Sequence, residues 1–175
     1  MDEHDYLTFH LYVASKTPRI KKTRTQNWIW VTVAFFSLGF LFFVNDNDGL
    51  TVYFLALGIL SLFLYPFYSR WKYKNHYLKF VRETYKNRFG LESEFIFEDD
   101  FIGAKDRTGE VKINKSEVEQ IDEIKGYYFV KARTGMVIMI SKTKTPEIEA
   151  IKRQLQVMSE KFGIKRNTEL DWKWR

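Results

Sequence analysis

Residues 28–44 read WIWVTVAFFSLGFLFFV and residues 50–68 read LTVYFLALGILSLFLYPFY, uncharged runs of seventeen and nineteen residues. At about 1.5 Å of rise per residue, helices of these lengths reach roughly 26 and 28 Å, close to the ~30 Å hydrocarbon core of a bilayer. Both runs are apolar all round, so neither offers water a polar face. The hydroxyls of Thr32, Ser37, Thr51 and Ser61 are able to bond back to the preceding helical turn. The reading is a hairpin of two membrane-spanning helices. A buried hairpin in a soluble protein is disfavoured, because so small a chain could hardly cover both helices. A cleaved secretory signal is disfavoured as well. The first run starts late, lacks an A-x-A-like exit, and is followed at once by the second.

The connection Asn45-Asp46-Asn47-Asp48-Gly49 reads as a tight turn, with Gly49 expected to supply a positive φ. It resembles half of a calcium loop. Aligned that way, however, Val44 and Leu55 fall where the loop's first and last oxygen ligands are needed, which excludes it. Pro66 falls within a turn of the second helix's exit, a place for a kink.

Working outward from the two runs, the charge is strongly partitioned. The chain has 175 residues and a net charge of +6. Residues 1–15 carry −3, residues 16–27 carry +5, and residues 28–68 carry −2. Residues 69–88 carry +6, and residues 89–175 balance to zero. The excess base therefore flanks the apolar block, and the positive-inside rule places both termini in the cytoplasm and the acidic loop outside. Trp28, Trp30 and Trp71 are the expected interfacial anchors. Lys21, Lys22, Arg24, Arg70, Lys72 and Lys74 form a candidate patch for anionic lipid headgroups; the same bases would also arise as a topology signal alone.

Four segments follow: 1–27, an N-terminal segment with a basic flank; 28–68, the hairpin; 69–90, a basic juxtamembrane helix closed by Gly90; and 91–175, a β-rich domain. In the first, Leu7, Leu11 and Ala14 form a helical stripe with Asp5 as a possible N-cap, which favours an interfacial amphipathic helix. Thr17-Pro18 then caps and opens the next helix.

After Gly90, short β-branched and aromatic runs predict strands at 94–98, 101–105, 110–114, 117–123, 127–132 and 136–141, an antiparallel meander of sandwich or barrel type. A helix follows, with Thr145 as cap and Pro146 at its first position. Ile148, Ile151, Leu155, Met158 and Phe162 make one stripe, and Gly163 closes it. The tail residues Leu170, Trp172 and Trp174 share one side if extended, and packing as a strap or extra strand on the β domain is preferred to contact with headgroups. The fold class is an α+β membrane protein. It comprises a two-helix hairpin and a small pleckstrin-homology-like (PH-like) β domain closed by a C-terminal helix.

The basic-flanked hairpin, the β-domain segment GYYFVKARTGMVIMISK (residues 126–142) and the ending ELDWKWR (residues 169–175) together resemble the YcxB-like membrane proteins of bacteria. Residues 5–24, DYLTFHLYVASKTPRIKKTR, are similar to that family's N-terminal portion. Asn114 stands where the family's strand often ends in Trp, and Ser141 where Pro often precedes Lys142. The resemblance implies a bacterial inner-membrane protein with a PH-like cytosolic domain of unassigned function.

Residues suited to catalysis or metal binding are sparse. The absence of cysteine removes disulfides, thiolate metal sites and a cysteine nucleophile. The three histidines, His4, His10 and His76, lie outside the β domain and leave Ser116 and Ser141 without an evident base. No phosphate-binding glycine loop or nucleophile elbow occurs. The doublets Asp99-Asp100 and Asp122-Glu123 read as solvated turns or strand ends. No enzyme activity, cofactor, metal, small-molecule substrate or nucleic-acid partner is expected. The expected role is a multi-pass membrane adaptor whose module meets an unidentified protein partner or another copy of itself at the cytoplasmic face. The alternatives are an anionic-lipid sensor and an accessory subunit of a transport or secretion complex.

Overall fold

Three helices occupy the first half of the chain, and seven strands with a fourth helix occupy the second. The computed structural model describes all 175 residues and is α+β. Two compact units are defined: His10–Val81 with Trp174–Arg175, and Met1–Phe9 with Arg82–Lys173. These units do not follow the sequence boundaries at residues 27, 68 and 90.

In the first unit, α2 (Pro18–Val44) and α3 (Asp48–Tyr85) form an antiparallel pair. The inward positions are small or hydroxylated. The Trp28 indole donates to the Ser61 carbonyl at 3.3 Å, and the Thr32 and Ser61 hydroxyls lie 3.0 Å apart. A β carbon on Gly39 would meet Leu55 Cδ2 at 3.0 Å, and one on Gly58 would meet the Phe36 ring at 3.1 Å. Phe42 stacks on Phe54 beside the turn, with ring centroids 5.3 Å apart. Large apolar side chains point outward, including Phe40, Phe43, Val52, Phe63 and Phe67. Helix α3 runs on without interruption through Pro66 and into the basic stretch, so the helix expected at residues 69–90 is its continuation.

The turn departs from expectation. Asp46, at φ +51°, takes the left-handed conformation, while Gly49 is helical. Asn47 explains the shift: its Oδ1 accepts from the Leu50 amide at 3.2 Å and caps α3 one residue before Asp48.

In the second unit, β1 (Glu94–Phe97), β2 (Phe101–Asp106) and β3 (Gly109–Asn114) form one antiparallel sheet in that order. Strands β4 (Val118–Ile124), β5 (Tyr127–Ala132), β6 (Val137–Ser141) and β7 (Lys165–Glu169) form another, ordered β6-β5-β4-β7. Its antiparallel pairs include Val130 with Ile121 and with Ile138. The sheets are separate and no barrel closes. One core joins them, built from Ile102 and Ile113 of the first sheet, Ile121, Val130 and Ile140 of the second, and Leu155 of α4 (Ile148–Phe162).

Three corrections arise in and after α4. The helix begins at Ile148 with Glu147 preceding it, so Thr145-Pro146 forms the approach and not the cap. Phe162, expected in the buried stripe, is exposed. Gly163 closes the helix at φ +63°, as its position predicted. The chain then returns as β7, parallel to β4 with Ile121 opposite Arg166, a strand that the expected meander lacks.

Strand β5 is buried on both faces. Tyr128 and Val130 join the core, whereas Tyr127 and Phe129 stack on each other, with Phe9 of α1 (Glu3–Lys16) 5.6 Å from Phe129. The first half of α1 thus covers the second face of the sheet. In the other half Leu11, Tyr12 and Ala14 are buried, and His10 lies against Tyr77 and Phe80. The expected stripe of Leu7, Leu11 and Ala14 is therefore packed on protein and not turned to a lipid interface.

Candidate functional site

The residues read as a lipid-facing patch gather at the foot of the hairpin, where α2 begins and α3 leaves its apolar run. Arg24 is the fixed point. Its Nε donates to the Ser69 hydroxyl at 3.2 Å, and its Nη1 donates to the main-chain oxygen of Arg175 at 2.9 Å. Its guanidinium lies 5.5 Å from the Tyr73 ring and 4.9 Å from the Trp174 ring, within cation–π range. The Trp174 indole is itself anchored, donating to the Arg70 carbonyl at 3.2 Å. Thus Trp174 belongs to the helical unit, which corrects the expected strap at that residue, while Leu170 and Trp172 stay with the sheet unit.

The other patch residues divide. Arg70 stacks on Phe67 at 5.6 Å and Lys72 lies 5.9 Å over Tyr68, while Lys21, Lys22 and Lys74 are exposed. Of the three tryptophan anchors, Trp30 and Trp71 face outward, 71% and 62% exposed. Trp28 instead turns inward to α3. Two cavities of about 310 and 270 Å3 flank Arg24; both are lined by Arg24, Tyr65 and Ser69, the first also by Lys21 and Trp28, the second by Lys72 and His76.

A second polar centre lies in the sheet unit and was not read from the sequence. Asp2 and Asp5 form a reciprocal capping box at the start of α1. The Asp5 amide donates to Asp2 Oδ1 at 3.0 Å, and the Asp2 amide donates to Asp5 Oδ2 at 2.6 Å. Lys144 Nζ bridges both carboxylates, at 2.6 Å from Asp2 and 2.5 Å from Asp5. The Tyr127 hydroxyl donates to Asp5 Oδ1 at 2.6 Å.

These contacts move the titrations in the expected directions. The hydrogen bond from Lys144 holds the Asp2 carboxyl down at about 2. Burial opposes the charge on Lys144, but its two aspartates outweigh this and raise it above the usual lysine value. Burial, then the neighbouring Asp5, pushes the Tyr127 hydroxyl well above the ordinary phenol range. On the same sheet, Lys142 bonds Glu123 at 2.6 Å. Burial raises the Glu123 carboxyl, yet this bond and charge prevail and lower it. Burial first, and Glu123 second, pushes the Tyr128 hydroxyl up to about 12.

The Asp-x-x-Asp spacing of the box was available in the sequence. The partners of Asp5 were not, since Tyr127 and Lys144 lie 122 and 139 positions away. This centre works as a staple between α1 and the sheet, because each polar group is spent on another in the same cluster. No group of three His, Asp or Glu side chains converges on a metal-sized site. Comparison with protein-family models, with curated proteins and with solved structures finds no match to this chain.

Proposed function

We propose that this chain is an integral membrane protein of the bacterial inner membrane, allied to the YcxB-like proteins. Its hairpin crosses the bilayer and its sheet unit is presented, with both termini, at the cytoplasmic face as a PH-like module for a protein partner or a second copy. The observation that carries the membrane reading is the inverted polarity of α2 and α3. Thr32, Thr51 and Ser61 are buried and Gly39 and Gly58 sit in close contacts, while Phe40, Phe63 and Phe67 are each at least 66% exposed. In water this arrangement leaves apolar surface unburied; in hydrocarbon it satisfies both solvent and helix contacts. The charge partition supports the orientation.

The interaction reading is supported by strand β3. It ends its sheet and is exposed along most of its length, with Val111 42% exposed, which suits strand addition by a partner.

Single cysteines in this cysteine-free chain test the topology. At Asn47 a cysteine should react with an impermeant maleimide in intact cells, whereas cysteines at Glu92 and Gln154 should react only after permeabilisation. Labelling of Gln154→Cys in intact cells, or recovery of the chain in the aqueous phase without detergent, overturns the reading. Crosslinking from Val111 or Lys112 that captures neither a discrete protein nor a dimer overturns the interaction role.

A further inference from the structure

We propose that the foot of the hairpin is a binding site for the phosphate group of an anionic phospholipid, with Lys21, Arg24 and Lys72 as its cations. The inference rests on the membrane reading above and assigns a ligand class to the hairpin's own surface.

Three observations converge. The two cavities flanking Arg24 are lined by Lys21, Arg24 and Lys72 and by no acidic side chain. The helical stretches on either side carry none: residues 6–45 and 49–82 contain no Asp or Glu. Arg24 is also pre-positioned. Ser69, the Arg175 oxygen and the Tyr73 and Trp174 rings fix its guanidinium while engaging two of its five N–H donors, which leaves three for a ligand. A guanidinium held in this way loses little freedom on gripping a phosphate.

The surroundings favour a lipid over a free anion. Phe67, Tyr68 and Trp71 are 66%, 50% and 62% exposed on the adjoining stretch of α3, a surface for acyl chains beside the charged cavities. Spread bases alone would give diffuse attraction. Cavities with a fixed arginine give a place for one headgroup.

The full-length chain in neutral detergent, titrated with phosphatidylglycerol and in parallel with phosphatidylcholine or sodium phosphate, tests this by native mass spectrometry. One phosphatidylglycerol should be retained in roughly tenfold preference to phosphatidylcholine, from contributions expected of bases near an interface. The double variant K21Q/K72Q should abolish most of that preference with helicity unchanged, since neither lysine forms an ion pair in the structure. R24Q should do the same. Equal retention of the two lipids, or a preference that survives both variants, overturns the site. Displacement of phosphatidylglycerol by millimolar sodium phosphate, with the same dependence on the variants, assigns recognition to free phosphate and overturns the lipid source. A chain that needs detergent for solubility yet shows no preference sinks this site and leaves the membrane reading standing. A chain soluble without detergent removes the membrane reading itself.

Discussion

Asp5 is 2% exposed and sits among groups that each require it: the Asp2 amide, the Tyr127 hydroxyl and the Lys144 ammonium. Removing one donor from a buried carboxylate leaves an oxygen with no replacement. Tyr127→Phe is therefore expected to lower stability of the sheet unit by about 2 kcal/mol, the scale of a hydrogen bond to a charged group. Urea unfolding in detergent followed by intrinsic fluorescence measures it, and a loss below about 0.5 kcal/mol would show that the hydroxyl is not part of the staple. At the hairpin turn the instructive residue is Asp46, not Gly49. Composition points to glycine for a left-handed conformation, yet Asn47 caps α3 and draws Gly49 into the helix, leaving Asp46 at φ +51°. Aspartate tolerates this conformation better than most residues do.

Helix α4 shows what an apolar stripe decides for an element. Leu155 is 1% exposed within the core shared by both sheets, whereas Val157, two residues on, is 61% exposed. Leu155→Ala is expected to cost roughly 2–5 kcal/mol. Val157→Ala should stay within about 0.5 kcal/mol. Paired denaturation curves compare them, and similar losses would contradict the burial pattern. In α2 and α3 the logic reverses, because small residues carry the contact. Gly58→Leu places its β carbon 3.1 Å from the Phe36 ring and pushes the helices apart. Disulfide formation between cysteines introduced at Thr32 and Ser61, efficient in the parent, should fall several-fold in that background. Undiminished crosslinking would mean that the glycine contact does not set the spacing.

For the molecule as a whole, the sheet unit depends on residues distant in the chain. Lys144 and Asp2 tie the start of α1 to the segment between β6 and α4, and both titrate in the sense that favours the tied form at neutral pH. Asp2 has its folded value lowered from 3.8 to about 2, so its contribution is present above pH 3.8 and is lost as pH falls towards 2. Lys144 has its value raised above 10.5, so its contribution is present below that pH and is lost above it. Stability of the unit should be flat between about pH 5 and 9 and fall on both sides. In Asp2→Asn the acid-side fall should be shallower, and an unchanged profile would remove Asp2 from the account. Deleting residues 1–9 uncovers Tyr127 and Phe129 together, and the truncated chain is expected to aggregate or lose β5 protection in hydrogen exchange.

Much of this architecture was legible because it rests on local patterns. The apolar runs, the basic flanks, six strand positions and the stripe of α4 each follow from periodicity or charge over fewer than thirty residues. Strand β7 was not legible. Its sequence KRNTE has no apolar alternation and forms a strand because β4 offers an open parallel edge. Nor was the course of α1, whose apolar stripe favoured an interfacial helix, because its packing partners Tyr77 and Phe129 lie far along the chain. Of the hairpin's foot, the bases were evident, but the embrace of Arg24 by Ser69, Tyr73 and Trp174 joins positions up to 150 residues apart.

The amino-acid order alone determined where two apolar helices begin and end, which flanks are basic, and that a β-rich segment with a closing helix follows. Those properties depend on neighbours along the chain. Tertiary structure alone decided that α1 covers the second face of a sheet, that β7 returns in parallel, and that Trp174 caps an arginine in α2. Such outcomes depend on which surfaces remain unburied and which donors remain unbonded once the local elements exist, and no short stretch of sequence contains that information.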